Sequence, residues 1–144
     1  FDEKNKNKRL KENDIVSVRT GYPGKSAVVP KKLENAQSFT TLISTPNKNI
    51  VNSEYLSYYI NSSVGMQQLE NMSAGGAQKN LNAASLRNLK VILPKMKEQQ
   101  MIASVLASVD EEIEGHQEEK AKYIELKRGL MQQLLTGKTR VNID

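Results

Sequence analysis

With 144 residues the chain has about the length of one domain, and a hydrophobic content of 38% with a mean hydropathy of −0.58 leaves little apolar material for a core. It has no cysteine, which excludes disulfides, thiolate metal sites and cysteine nucleophiles, and no apolar run approaches the roughly 18 residues of a membrane span. The net charge of +5 is concentrated at the front, where residues 1–32 hold nine Lys or Arg against four Asp or Glu. We therefore predict a cytoplasmic protein whose anion-binding surface, if it has one, belongs to the front of the chain.

Residues 14–45 have the composition of short β-strands joined by tight turns. The runs DIVSVR (14–19), AVV (27–29) and SFTTLIS (38–44) are rich in β-branched residues, and Gly and Pro occur in the connections between them. The sequence therefore predicts three strands as the framework of the front half.

The segment GYPGKS (21–26) shares Gly-Lys-Ser with phosphate-binding loops. Those loops need a glycine five residues before Gly24, where Arg19 stands, and a helix afterwards, where the β-like AVVP follows. The sequence thus favours a tight turn over a nucleotide site. The tip of such a turn suits phosphate and base-edge contacts, although a plain hairpin tip accounts for the same residues. The candidate DNA-contacting residues of this turn are Arg19, Thr20, Tyr22, Lys25 and Ser26.

From residue 52 the apolar spacing becomes that of helices. Asn52 or Ser53 can cap a helix that bends or restarts at residues 62–65 and ends before the glycines at 75 and 76. Its predicted apolar face consists of Leu56, Tyr59 and Ile60.

The segment SAGGAQKNLN (73–82) predicts a loop, because its two glycines free the backbone. Its amide and ammonium groups suit adenine edges and phosphates, although an ordinary surface loop has a similar composition. The candidate DNA-contacting residues here are Gln78, Lys79 and Asn80. Asn82 is then expected to cap one short turn, and RNLKVILP (87–94) predicts a strand that Pro94 ends.

Residues 97–135 contain no proline and predict one long helix that ends at Thr136–Gly137. About 40 residues at roughly 1.5 Å each give a length on the order of 60 Å. Apolar residues follow the 4-3-4 spacing of a coiled-coil seam. This apolar pattern is interrupted between residues 114 and 122 and continues after them. The predicted helix-pairing residues are Ile102, Leu106, Val109, Ile113, Leu130 and Leu134. One small domain cannot cover such a stripe, so we expect it to pack against another helix.

No arrangement of residues predicts catalysis or metal binding. The single histidine, His116, lies in the polar middle of the long helix, and the cluster DEEIE (110–114) is ordinary helix-surface charge. We therefore expect no enzyme activity, no metal site and no cofactor of its own.

Two motifs near the C-terminus resemble the conserved region of the specificity subunit of type I restriction-modification enzymes. The first is a Leu-Pro start followed by Lys-Glu-Gln and Ile-Ala, carried here by Leu93, Pro94, Lys97, Glu98, Gln99, Ile102 and Ala103. The second is carried by Leu130, Met131, Gln132, Leu134, Leu135, Thr136, Gly137, Lys138, Arg140 and Val141. Upstream, NDIVSVRTGYPGKSAVVP and GGAQKNLNAASLRNLKVILP resemble the later half of a target recognition domain.

The resemblance implies a DNA-reading subunit without chemistry of its own. In that family each recognition domain reads one half of a split target, and long helices pair antiparallel as a spacer. The same helices dock methyltransferase subunits, which hold S-adenosylmethionine, while a separate motor-nuclease restriction subunit cuts. An intact subunit has two recognition domains and two helical regions, whereas this chain has at most one of each.

We therefore predict an α+β fold, a small mixed target recognition domain followed by a long C-terminal α-helix in an antiparallel coiled coil. The predicted parts are a partial recognition domain at 1–94, a spacer, dimerisation and docking helix at 95–137, and a polar tail at 138–144. The expected partners are double-stranded DNA, the methyltransferase and restriction subunits, and a second copy or other half of the specificity subunit, with no membrane. The alternative is a truncated half-subunit or fragment that only dimerises.

Overall fold

The computed structural model describes residues 9–73 and 80–142, which form an α+β arrangement. By internal contacts the chain divides into two units, residues 1–104 and residues 105–144. The described strands are β1 (Ile15–Val18), β2 (Ser26–Val28) and β3 (Thr41–Ser44), with a 3-10 helix at Lys31–Leu33. The described α-helices are α1 (Ser53–Asn61), α2 (Ser63–Ser73), α3 (Ala83–Arg87) and α4 (Met96–Leu134). This confirms the predicted α+β fold and the long C-terminal helix.

The three strands form an antiparallel sheet in the order β2-β1-β3, as their β-branched composition predicted. At one end of the sheet Val18 pairs with Thr41, and at the other end Ile15 pairs with both Val28 and Ser44. We call these the Val18 end and the Ile15 end. The turn between β1 and β2 and the entry to β3 therefore lie at the Val18 end, whereas the segment after β2 leaves from the Ile15 end.

Helices α1 and α2 cover one face of the sheet. Ile15, Ile60, Leu69 and Leu81 are buried together and form the main core. The break between the two helices is tight, because a Cβ on the buried Gly65 would lie 2.2 Å from the backbone oxygen of Tyr59. A side chain at this position would displace the backbone, so only glycine allows α2 to start where it does.

The predicted cap of α1 is confirmed, because the Asn52 side chain accepts a hydrogen bond from the Tyr55 N–H at 2.8 Å. The buried face differs in part from the prediction. It contains Ile60, but Tyr55 is more deeply buried than Tyr59, and the serines at 53 and 57 lie inward. The Ser57 hydroxyl donates to the Ser26 oxygen at 3.3 Å. Small hydroxyl side chains thus bring α1 close to β2 while satisfying backbone groups of the sheet.

The prediction of a strand at residues 87–94 is wrong, because the end of this segment has an irregular backbone. Side chains, and not a neighbouring strand, form hydrogen bonds with this backbone. Gln68 accepts from the Lys90 N–H at 3.0 Å and donates to the Lys90 oxygen at 3.1 Å. Tyr55 donates its hydroxyl proton to the Ile92 oxygen at 2.7 Å. An extended, apolar sequence is compatible with either arrangement. The amide and phenol groups that α1 and α2 present here supply the hydrogen bonds that a neighbouring strand would otherwise supply.

The first turns of α4 belong to the first unit because Gln99 is buried, with 1% of its surface exposed. Its side-chain amide donates to the oxygens of Ile50 at 3.1 Å and Pro94 at 2.8 Å, and its oxygen accepts from the Asn52 N–H at 2.9 Å. Ala103 is buried against Val51 and Tyr55. The boundary between the units therefore falls about ten residues after the predicted one at 94, which had been placed where the helix begins.

The second unit consists of the rest of α4 and the residues that follow it. The helix ends as predicted, with Gly137 at a φ of +71° beyond the last turn. None of the described residues from 105 to 142 is buried within the chain. Over the described residues, no helix combines the length and apolar character required to cross a membrane.

Candidate nucleic-acid interface and helix surface

The turn between β1 and β2 is built on two glycines with left-handed backbone angles, Gly21 at a φ of +87° and Gly24 at +99°. The Gly24 N–H donates to the Val18 oxygen at 2.9 Å, and the Val18 N–H donates to the Lys25 oxygen at 2.8 Å. A Cβ on Gly24 would lie 3.1 Å from side-chain atoms of Leu69 and of Met66. Helix α2 thus packs directly under the turn and fixes its conformation.

Two further segments meet this turn at the Val18 end of the sheet. The Arg19 N–H donates to the Thr40 oxygen at 3.2 Å, which joins the turn to the loop before β3. The Arg19 oxygen accepts from the Leu81 N–H at 3.0 Å, which joins it to the segment that follows residues 74–79. Two segments that follow Arg19 by 21 and 62 residues therefore converge on its backbone.

The predicted DNA-contacting residues fall into three groups in the structure. Arg19, Thr20, Tyr22, Lys25 and Asn80 are exposed, with 82% of the Tyr22 surface accessible. Gln78 and Lys79 lie outside the described residues. The third group is Ser26, whose predicted place at the exposed tip is wrong. Its side chain is buried in β2, where its hydroxyl donates to the Gly24 oxygen at 2.8 Å and lies 2.7 Å from that of Ser17.

Asn61, at the end of α1, holds the strand beneath the turn. Its side-chain oxygen accepts from the Ser26 N–H at 2.8 Å, and its amide donates to the Ser26 oxygen at 2.8 Å. The amide therefore pairs with both backbone groups of one residue, as a neighbouring strand does. A cleft of about 490 Å³ opens beside it, and its lining consists of Gly21, Tyr22, Pro23, Lys25, Asn61, Met66 and Glu70.

The sequence analysis missed three residues of this region: Phe39, Thr40 and Asn61. Phe39 is 70% exposed and Thr40 has a φ of +59°, both in the loop that meets Arg19. Phe39 lay within a predicted strand, where an aromatic residue is ordinary. Only one signal was available, the group of Ser38, Thr40 and Thr41 around Phe39, because clusters of Ser and Thr are typical of loops. For Asn61 the pattern contained no signal, because its partner is 35 residues away.

In the second unit, α4 presents apolar side chains on its accessible surface. Of the predicted helix-pairing residues, Leu106, Val109, Ile113, Leu130 and Leu134 are exposed within the chain. Ile102 differs, because it packs against the cluster of Val51, Tyr55 and Ala103 in the first unit. The exposed residues also include Val105, Tyr123, Ile124, Leu126, Met131 and Leu135. The stripe predicted from the spacing is therefore present and is not covered by its own unit.

Ionisable groups in the described residues give no sign of a reaction centre. No group of three or more His, Asp or Glu side chains that could hold a metal ion occurs among them. His116 lies 3.7 Å from Glu119, and both side chains are mostly exposed. The described titratable group with a resolved shift is Tyr55, whose pKa is raised by burial and then by neighbouring Tyr59 and Glu98. Tyr55 is a donor to the backbone and holds the segment at Ile92 in place.

Comparison with known proteins gives a consistent result. The family model described as "Type I restriction modification DNA specificity domain" matches residues 1–125. A Methanocaldococcus jannaschii protein assigned as the specificity subunit of type I restriction enzyme MjaX is 32% identical over 139 residues, which cover 94% of this chain and 32% of that protein. The MjaVIII specificity subunit of the same organism is 33% identical over 91 residues, covering 63% of this chain and 21% of that protein.

Two solved structures have a similar fold. The HsdS subunit from Thermoanaerobacter tengcongensis matches with a TM-score of 0.66 and 21% identity, over 87% of this chain and 33% of that chain. A chain from a structure titled "Structural basis underlying complex assembly and conformational transition of the type I R-M system" matches with a TM-score of 0.73 and 20% identity, over 94% of this chain and 36% of that chain. The chain spans about a third or less of the length of the curated relatives described here. It belongs to the type I restriction modification DNA specificity domain family.

Proposed function

We propose that this member of the specificity domain family reads one half of a split DNA target for a type I restriction-modification system. In this proposal the first unit contacts duplex DNA with the loops at the Val18 end of its sheet. The exposed helix surface of the second unit pairs with the helix of another recognition unit and docks methyltransferase subunits. The chain itself is not catalytic: S-adenosylmethionine is held by the methyltransferase, and a motor-nuclease restriction subunit completes the system.

The observation that carries the DNA-reading part is the convergence on Arg19. Three loops that are distant in sequence meet there through backbone hydrogen bonds. The turn between β1 and β2, which the other two segments meet, presents a guanidinium group from Arg19, an ammonium group from Lys25 and an exposed phenol ring from Tyr22 at the Val18 end of the sheet. Arginine suits bidentate contact with guanine and lysine suits phosphate. A backbone held by hydrogen bonds in this way allows specific contacts, because little conformational freedom is lost on binding.

The observation that supports the pairing part is the uncovered stripe on α4. Large apolar side chains are exposed within the chain in two runs, from Val105 to Ile113 and from Tyr123 to Leu134, and each run contains residues at coiled-coil spacing. Clustered exposed apolar surface of this kind marks an interaction site. A second recognition unit with the same stripe is the partner that satisfies both helices.

A DNA-binding titration tests the proposal, using fluorescently labelled duplex and the specificity chain in complex with its methyltransferase subunit. Arg19→Gln and Lys25→Gln alter the Val18 end, whereas Lys31→Gln and Lys32→Gln alter exposed lysines beyond the Ile15 end. The slope of log Kd against the logarithm of the salt concentration should decrease by about 0.9 for each phosphate contact removed. We expect the first pair to lower affinity for DNA and the second pair to have little effect.

If both pairs of substitutions lowered the affinity for DNA equally, binding would depend on the overall positive charge and not on a defined reading surface. Absence of duplex binding by the unaltered complex at low salt would favour the alternative, in which the chain serves only as a dimerisation module.

A further inference from the structure

The loop of residues 38–40 contains an aromatic side chain that no fold requirement explains. Phe39 is 70% exposed and immediately precedes β3 at the Val18 end of the sheet. Unlike Tyr22, it has no hydroxyl group for water to hydrate. Leaving a phenyl ring in solvent forgoes the free energy of burying it, so its contribution is expected in a complex.

The backbone around Phe39 is fixed rather than loose. The Ser38 and Thr41 hydroxyls lie 2.6 Å apart, and the Thr40 hydroxyl donates to the Phe39 oxygen at 2.6 Å. The Thr40 oxygen accepts from the Arg19 N–H at 3.2 Å. Thr40 has a φ of +59°, a left-handed angle that β-branched residues rarely adopt. Such angles persist where the surrounding structure enforces them, and they concentrate at binding and catalytic sites.

We propose that Phe39 contacts the 5-methyl group of a thymine in the major groove and so adds a T·A pair to the recognised half-site. This contact rests on the proposed DNA-reading function of the Val18 end. It makes Phe39 a specificity-determining residue, in addition to the polar candidates on the neighbouring loops.

The chemistry of base edges favours thymine. In the major groove, the thymine methyl group is the apolar feature among donors and acceptors, and phenylalanine is among the side chains that pack against it. The minor groove offers no such group. Arg19 is joined to Thr40 through its backbone, so its side chain and Phe39 start from adjacent points. Arginine is suited to guanine O6 and N7 in the same groove, so we expect the two side chains to contact neighbouring base pairs.

A different use of an exposed phenyl ring is insertion between base pairs as a wedge. Wedges of this type enter from the minor groove, unstack a base step and kink the duplex. The wedge and the methyl contact make opposite predictions when the methyl group alone is removed.

The test uses the complex of the specificity chain with its methyltransferase subunit and the target duplex identified from the sites that the complex methylates. Each thymine of this half-site is replaced in turn by uracil, which lacks only the methyl group. At one position we expect affinity to fall about fourfold, from the loss of one buried methyl group. Phe39→Ala should cause a loss at least as large, and in the Phe39→Ala complex replacement of that thymine by uracil should cause no further loss.

Two controls support the comparison. Leu33→Ala removes an exposed apolar side chain from the 3-10 helix beyond the Ile15 end and should leave the discrimination between thymine and uracil unchanged. Phe39→Leu keeps an apolar side chain and should retain part of the discrimination. Because Phe39 is exposed, neither of its variants should shift the thermal unfolding midpoint of the chain.

Three results would overturn the contact. The first is a half-site without thymine, which has no methyl group for Phe39 to contact. The second is an equal loss of affinity on uracil substitution in the Phe39→Ala and unaltered complexes, which would show that another residue contacts the methyl group. Increased 2-aminopurine fluorescence that depends on Phe39, with no uracil effect, identifies a wedge. In all three cases the unaltered complex still binds its target. A complex without sequence-specific binding would instead overturn the proposed function, and the Phe39 contact with it.

Discussion

The two units of this chain use their polar and apolar side chains in opposite ways. In the first unit amide side chains bond the unit's own backbone: Gln68, Asn61 and the buried Gln99 hydrogen-bond backbone atoms from distant segments. In the second unit large apolar side chains face outward, and none of its described residues is buried. Two side-chain contacts there, His116 with Glu119 and Arg128 with Glu125, join exposed groups on the same helix and add little stability.

This difference separates the interactions that stabilise the fold from the surface through which the chain binds a partner. A unit whose buried polar groups are satisfied internally contains the interactions that specify its own structure. A helix with an uncovered apolar stripe depends on a partner to cover it, because its intrinsic helix propensity contributes only a small part of the stability. Changes in the first unit should therefore act on folding, and changes in the second unit should act on association.

The largest effect is expected on the helix surface. Leu130→Asp with Leu134→Asp places two charges in the stripe, and burial of each leucine contributes about 1.5–3 kcal/mol. We expect helix association to weaken by about 3 kcal/mol or more, measured by sedimentation equilibrium over a range of concentrations. Protection of the α1 amides from hydrogen exchange, which reports on the first unit, should not change.

The matched control for this pair is Gln132→Asp. Residue 132 is two positions from each leucine and therefore lies on the other side of the helix. If Gln132→Asp dissociated the chain as strongly as the double variant, the stripe would not be the interface.

The next effect concerns the inward-facing amide of Gln99. Gln99→Leu keeps a side chain of similar size but leaves the Asn52 N–H and the Ile50 and Pro94 oxygens without this partner. Because buried unsatisfied backbone groups are costly, we expect the first unit to lose about 3 kcal/mol of stability. Hydrogen exchange of the α1 amides under native conditions measures the loss. The neighbouring Gln100→Leu alters an exposed residue and should change stability by less than about 0.5 kcal/mol.

A smaller effect is expected from the two glycines of the turn between β1 and β2. Both have left-handed angles, so alanine at either costs about 1 kcal/mol in backbone conformation. Only at Gly24 does the new methyl group also meet Leu69 and Met66 at 3.1 Å, whereas Gly21 has open space. Gly24→Ala should therefore destabilise the chain by about 1 kcal/mol more than Gly21→Ala, as measured by urea unfolding. Equal losses would show that α2 does not support the turn.

The smallest effect concerns pH and Tyr55. Burial raises the pKa of Tyr55 above its usual value of 10.0, with further contributions from Tyr59 and Glu98. A raised pKa means that the folded state holds the phenolic proton more tightly than the unfolded state. This contribution is complete below the unfolded pKa and is lost as pH rises through the folded pKa. Stability should therefore fall above about pH 10, and Tyr55→Phe should make that part of the stability profile flatter.

Local patterns predicted the elements that depend on neighbouring residues. The β-branched runs gave the three strands, Asn52 and Asn82 gave two helix caps, and the spacing after Pro94 gave the long helix. The fold class and the long helix were accessible from such patterns, and the family from the resemblance of the two motifs near the C-terminus. Each strand and each helix cap is encoded within a few neighbouring residues.

The patterns failed where a long-range hydrogen bond decided the outcome. Residues 87–94 were predicted as a strand, but Gln68 and Tyr55 hold the backbone at residues 90 and 92 instead. Ser26 was predicted at an exposed tip, but it is buried in β2, where the side chain of Asn61 bonds both of its backbone groups. Partners more than 20 residues away leave no periodic trace in the sequence. For the same reason, the convergence of three loops on Arg19 became visible only in the structure.

The junction at Gln99 has a consequence for how such chains can be recombined. All three of its hydrogen bonds reach main-chain atoms, at residues 50, 52 and 94, so the junction depends on backbone geometry and not on the side chains at those positions. A differently sequenced head that repeats this local geometry, and that keeps Val51 and Tyr55 against Ala103, would accept the same helix start. Grafting the helix from residue 95 onto such a head should give a stable chimaera, and loss of that stability in a Gln99→Leu chimaera would trace the compatibility to this one amide.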